Sequence, residues 1–102
     1  MPVETLKARL ERGEKPLIVD VREGWEYQLV RLDEAVHIPM REIPKRMSEF
    51  DKQAEIVVHC HHGARSYDVA AFLMQNGFAR VWNLTGGIDA WARRIDRSKR
   101  LY

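Results

Sequence analysis

Ile56-Val57-Val58-His59-Cys60-His61-His62-Gly63-Ala64-Arg65-Ser66 decides how this 102-residue chain is read. Residues 56–59 form a short β-branched run, the pattern of a strand covered on both faces. Beyond residue 65 the apolar period changes. Val69, Phe72 and Leu73 share one helical face and Gly77 stops it, so a helix is expected over residues 66–76. The short loop between strand and helix carries the only cysteine of the chain. In an open α/β sheet, ligands sit beyond the carboxyl ends of the strands, where Cys60 lies.

Moving outward, strands and helices alternate. Residues 17–21 read as a second buried strand, and 35–38 and 81–84 as shorter ones. Val3, Leu6 and Leu10 recur at one-face spacing, with Gly13 as a C-terminal stop. Residues 24–30 and 87–94 read as helices. Ile43, Met47 and Phe50 mark another, with Pro44 allowed in its first turn. The alternation predicts an α/β fold: a central, mostly parallel sheet with helices on both faces and right-handed crossovers. No repeat or low-complexity linker divides the sequence, so one domain over residues 1–102 is expected.

Composition narrows the function classes. Of the residues, 45% are hydrophobic and 31% charged, as in ordinary globular domains. One cysteine excludes an internal disulfide framework. No apolar run approaches the ~20 residues of a membrane span, and residues 1–4 lack the layout of a signal peptide. No membrane partner, a cytoplasmic location and a free Cys60 thiol are the expectations. Seventeen basic and fifteen acidic residues leave a net charge of +2. Arg93, Arg94, Arg97, Lys99 and Arg100 face one acid, Asp96. Without interleaved aromatic residues, this tail reads as a solvated helix end rather than a nucleic-acid contact. Trp25 and Trp82 fit either a core or a partner face.

The loop has the parts of an anion cradle. A helix N-terminus offers unpaired N–H groups and partial positive charge. A curl around Cys60 adds the amides of His61, His62, Gly63, Ala64 and Arg65 as a nest, and Gly63 supplies the backbone freedom. Arg65 is expected to close the ring with a guanidinium fork. All of these also favour a thiolate. Lowering a thiol from about 8.5 to about 6.5 raises the thiolate at pH 7 roughly 25-fold. It costs roughly 8-fold in nucleophilicity, for a net gain near 3-fold. The larger benefit is holding an anionic substrate and leaving group.

Three other readings compete. Free cysteines are often small buried hydrophobes, but neighbouring histidines, glycine and arginine point elsewhere. His59, His61 and His62 flank the thiol, yet consecutive residues rarely converge on one ion and no second ligand cluster follows; no metal is expected. His61 or His62 as a base for Cys60 meets the same geometric objection.

Four stretches carry a family resemblance. They are Asp20-Val21-Arg22-Glu23 with Trp25-Glu26-Tyr27, Ala35-Val36-His37-Ile38-Pro39, the loop from Cys60 to Ser66, and a C-terminal series. That series runs Gly77-Phe78, Val81, Asn83, Leu84, Gly86-Gly87-Ile88, Ala90 and Trp91. In this order they resemble the single-domain members of the rhodanese (sulfurtransferase) family, over residues 3–95. Where such members carry Gly-His-Ile-Pro-Gly, this chain reads Val30-Arg31-Leu32-Asp33-Glu34.

The resemblance implies transfer of a sulfane sulfur from thiosulfate or a similar small anionic donor through a Cys60 persulfide. Cyanide, a thiol or a protein cysteine would accept it, with no cofactor. Arg65 would bind the donor's sulfonate, assisted by His61 or His62, while Asp20, Arg22 and Ser66 brace the loop. For Asp20 and Arg22, a plain ion pair at a strand end is the alternative. Four residues separate Cys60 from Arg65, whereas the related phosphatases have five, so the spacing favours sulfur transfer over phosphate-ester hydrolysis. A sulfur-carrier or protein-binding module without turnover is the main alternative, ahead of a cysteine phosphatase or arsenate reductase.

Overall fold

The computed structural model describes residues 1–102. Helix α1 (Val3–Glu11) leads to strand β1 (Leu17–Asp20), helix α2 (Gly24–Leu29) and the two-residue strand β2 (Val36–His37). A single helical turn α3 (Ile43–Arg46) precedes β3 (Ile56–His59), α4 (Ala64–Gln75), β4 (Val81–Asn83) and α5 (Gly87–Arg94). The four strands form one parallel sheet in the order β2-β1-β3-β4. This is the expected α/β class.

The two inner strands make both cores at once. Alternation sends Val19, Ile56 and Val58 to one face, where they meet Ile43, Val69, Leu73 and Phe78. Ile18 and Val57 point the other way, to Val3, Leu6, Ile88 and Trp91. Helices therefore cover both faces, which is why β1 and β3 are apolar almost throughout.

Several boundaries differ from the sequence reading. Helix α4 starts at Ala64, two residues early, because Gly63 (φ +117°) makes the break. Strand β3 has its expected bounds, whereas β1, β2 and β4 end one residue short and β2 also starts one late, although Val21 N–H still bonds His59 O (3.1 Å) and Leu84 N–H bonds Val58 O (2.9 Å). The helix expected around Ile43, Met47 and Phe50 is instead broken into α3 flanked by 3₁₀ turns at Met40–Glu42 and Met47–Glu49. Pro44 supplies no N–H there, and three-to-four spacing serves stepped turns as well as one helix. Trp91 is core, whereas Trp25 and Trp82 are exposed.

Candidate active site

Strand β3 ends at His59, and the next five backbone units turn into α4. Two contacts on the outer side hold the loop: Ile88 N–H donates to Cys60 O (2.9 Å) and Asp89 N–H to His61 O (3.0 Å). The first turn of α5 thus takes the loop's carbonyls. This needs Gly87, at φ +58°, because a Cβ there would lie 2.5 Å from both carbonyl oxygens.

With carbonyls turned outward, amides turn inward. Gly63 N–H lies 3.1 Å from Cys60 Sγ, and Ser66 Oγ lies 3.3 Å from it. Cys60 is only 1% exposed. Burial pushes its thiol up, but hydrogen bonds from the Ser66 hydroxyl and the amides of Ser66, Gly63 and Arg65 outweigh burial and leave it below the ordinary value. Ser66 Oγ also faces Asn83 Oδ1 (2.5 Å) and Gly63 O (3.3 Å). One hydroxyl proton cannot serve three acceptors. Asn83 Oδ1 is the nearest of the three. Asn83 Nδ2 donates to Gly63 O (3.2 Å), so β4 braces the loop from the side.

The expected guanidinium fork exists, but it grips another partner. Arg65 donates from Nη1 and Nη2 to the two carboxylate oxygens of Glu26, at 2.7 and 2.9 Å. The sequence reading had this fork close the anion ring and gave it no carboxylate partner. Arg65 chiefly, together with the Glu23 amide and the Tyr102 hydroxyl, overcomes burial and holds the Glu26 carboxyl at about 2. Glu26 is 3% exposed, positioned by a capping box in which it receives Glu23 N–H (2.9 Å).

Asp20 and Arg22 sit behind this pair, both fully buried. Arg22 Nη2 lies 2.7 Å from Asp20 Oδ2 and Nε lies 2.9 Å from Oδ1. The remaining donors of Arg22 reach Glu26 O, Val30 O and the Tyr102 hydroxyl. Asp20 and Arg22 therefore form the buried ion pair of the alternative reading, and the same pair supports α2 beside the loop. His59, also fully buried, stands 3.7 Å from Asp20, and burial holds its imidazole below the ordinary value.

The histidines of the loop diverge from Cys60. His61 is sandwiched between His62 (centroids 3.8 Å) and Tyr102 (3.8 Å, planes 6° apart), while His62 is exposed. Asp89 approaches both, its donor atom within 4.8 Å of theirs. Spacing alone gave no sign of this cluster, since Asp89 comes from α5. Arg93 Nε already lies 3.0 Å from Asp89, so a cation there would compete with a guanidinium.

Sequence reasoning assigned no role to three residues of this site: Glu26, Asn83 and Tyr102. Glu26 lay in a quoted motif, but its partner is 39 positions away. Tyr102 lies beyond the resemblance, in a tail that carries no pattern.

A parallel sheet that delivers one cysteine to backbone amides at a helix N-terminus defines the class: an α/β domain with a cysteine-centred loop. Residues 2–94 match the family described as "Rhodanese-like domain". A sulfurtransferase of Allochromatium vinosum is 48% identical over 90 residues, spanning 88% of this chain and 84% of that protein. The thiosulfate sulfurtransferase GlpE of Actinobacillus pleuropneumoniae serotype 7 is 32% identical over 84 residues, covering 82% of this chain and 78% of the relative. The crystal structure of a rhodanese-like domain protein from Staphylococcus aureus superposes with a TM-score of 0.86 at 30% identity, covering 100% of this chain and 96% of that one. The chain belongs to the rhodanese-like family.

Proposed function

We propose that this protein is a sulfurtransferase that carries a sulfane sulfur on Cys60. The supporting observation is the cradle around Sγ, with an amide at 3.1 Å and a hydroxyl at 3.3 Å at the start of α4. In the first step the Cys60 thiolate attacks the outer sulfur of thiosulfate or a similar donor. A bond forms between Sγ and that sulfur, the sulfur–sulfonate bond breaks, and its electron pair leaves with sulfite. In the second step an acceptor nucleophile (cyanide, a thiol or a protein cysteine) attacks the outer sulfur and expels the Cys60 thiolate. The division into two steps predicts ping-pong kinetics.

The amides of Gly63, Arg65 and Ser66, which face Cys60 Sγ, carry the binding role, holding the anionic outer sulfur of the persulfide. Arg65 acts at one remove, since its fork holds Glu26 and fixes the start of α4. The cycle needs a reduced thiol and no cofactor, which fits a reducing cytoplasm. No helix is long and apolar enough to cross a membrane.

Intact-mass measurement tests the proposal. Thiosulfate treatment is expected to add one sulfur atom to the native protein and none to Cys60→Ser. Cyanide should then remove it with formation of thiocyanate. A native protein that gains no sulfur overturns the persulfide mechanism.

A further inference from the structure

Two consecutive histidines seldom aim at one point, and in the sequence no third ligand stands near His61 and His62. The fold removes both objections. The two rings lie side by side, centroids 3.8 Å apart and planes tilted by 33°. Asp89 reaches them from the first turn of α5, placed there by the backbone bonds from Ile88 N–H to Cys60 O and from Asp89 N–H to His61 O. One donor atom from each of the three side chains lies within 4.8 Å of the other two, and His62 Nε2 stands 4.0 Å from Asp89 Oδ2. Donors around a tetrahedral zinc ion lie roughly 3.3 Å apart, at zinc–nitrogen bonds of about 2.0–2.1 Å. The closure still needed is small, and the His62 side chain, 67% exposed, has room to make it.

The three side chains also have bonding capacity to spare. His61 Nε2 is buried and has no hydrogen-bond partner in the protein, an unmet demand on that ring. The ring itself is already ordered. Tyr102 stacks on its far side (3.8 Å), and the Tyr102 hydroxyl is fixed in turn by donating to Glu26 Oε2 (2.8 Å) and accepting from Arg22 Nη1 (2.9 Å). A ligand ordered beforehand loses little freedom when it binds. The Asp89 carboxylate accepts one side-chain hydrogen bond, from Arg93 Nε to Oδ2 (3.0 Å). Arg93 is 59% exposed and four residues along the same helix, so this is a weak surface pair whose guanidinium returns to water when a cation arrives.

We propose that His61, His62 and Asp89 form a binding site for a divalent transition-metal ion of the zinc class, which clips the outer side of the Cys60 loop to the start of α5. Donor type selects the ion. Two imidazoles and a carboxylate suit divalent first-row metals, whereas Ca2+ and Mg2+ take oxygen ligands. Three protein ligands leave the fourth tetrahedral position to water. The ion adds a side-chain tie to the two backbone bonds that already join loop and helix. The transfer steps proposed above use none of these three side chains, so the inference stands whether or not Cys60 carries sulfur.

Zn2+ alone is the probe, titrated by calorimetry into the metal-free, reduced native protein. One ion per chain is expected, with a raised Tm, because a ligand of the folded state stabilises that state. His62→Gln is the first variant, since an exposed side chain can be changed without disturbing the packing, and Asp89→Asn is the second. Each should weaken binding at least about tenfold, a loss that even the outer partners of metal ligands produce. Arg93→Gln, which releases the carboxylate, should tighten binding about twofold, the worth of an exposed i,i+4 pair. Cys60→Ser should bind Zn2+ as the native protein does, and Mg2+ should not compete. Co2+ in place of Zn2+ should give visible ligand-field bands without a thiolate charge-transfer band. Absence of saturable Zn2+ binding overturns the proposal, as does binding that survives both His62→Gln and Asp89→Asn. Affinity lost in Cys60→Ser, or a thiolate band with Co2+, assigns the ion to the sulfur and overturns the proposed ligand set.

Discussion

The two ends of the sheet carry the same kinds of side chain in opposite circumstances. At the amino-terminal ends of the strands, Arg9 meets Glu14 (2.7 Å) and Glu55, and Trp82 Nε1 donates to Glu55 (2.9 Å). Arg9, Glu14 and Glu55 border an open, charged cavity of about 650 Å³. At the carboxyl-terminal ends lie Asp20, Arg22, Glu26, His59 and Ser66, which are all of the buried polar side chains in the molecule. They surround the cysteine and are bonded to one another or to the backbone. The difference teaches that concavity and chemistry are separable here. The charges at the open end are exposed to solvent screening, whereas the polar groups around the cysteine are buried, so each hydrogen bond on sulfur counts for more.

Removing a charge from the cysteine end should break this contrast most sharply. Asp20→Ala leaves Arg22 buried without its carboxylate and is expected to cost about 4 kcal/mol in urea unfolding. A loss below about 1 kcal/mol, the scale of an exposed ion pair, would erase the distinction between the two ends.

Acid offers a gentler probe of the same network. The Glu26 carboxyl is held at about 2 by Arg65, below its unfolded value of about 4.3. Its folded pKa is depressed, so its stabilisation is complete at neutral pH and is lost as pH falls from about 4.5 towards 2. That acid arm should amount to about 3 kcal/mol and flatten in Glu26→Gln, as read by denaturation at stepped pH.

The smallest effect belongs to the opposite end. Glu55→Gln should cost about 1 kcal/mol or less, and added salt should shrink the difference in Tm further. A larger, salt-insensitive loss would show that the open end is as tightly coupled as the cysteine end.

What could be read in advance followed the range of the forces involved. The β3–loop–α4 unit was legible because everything that defines it is local: a β-branched run, a glycine break and a helical period. The layer order followed from the alternation of such units. The partners of Arg65 and His61 were not legible, because Glu26 and Tyr102 reach them from 39 and 41 positions away and neither sits in a periodic pattern. A lone arginine at a loop end looks the same in sequence whether it holds a substrate or a carboxylate. The segmented α3 failed for a different reason, since apolar spacing does not distinguish a continuous helix from single turns around Pro44.

Gly87 and the bonds beside it have one more consequence, concerning how far such a loop can drift over evolution. The loop from Cys60 to Arg65 is suspended between two helix ends: α4 directs its free amides at the sulfur, and α5 holds the carbonyls of Cys60 and His61 in register. A residue inserted before His61 would pull one of these carbonyls out of register with α5, where Gly87 lies too close to yield, so any extra length must enter after His61. The first half of the loop is therefore held by its neighbouring helix as much as by its own sequence. A lineage that needed a wider ring, sized for a bulkier oxyanion, would find room for it between His62 and Arg65, beyond the two carbonyls that α5 holds.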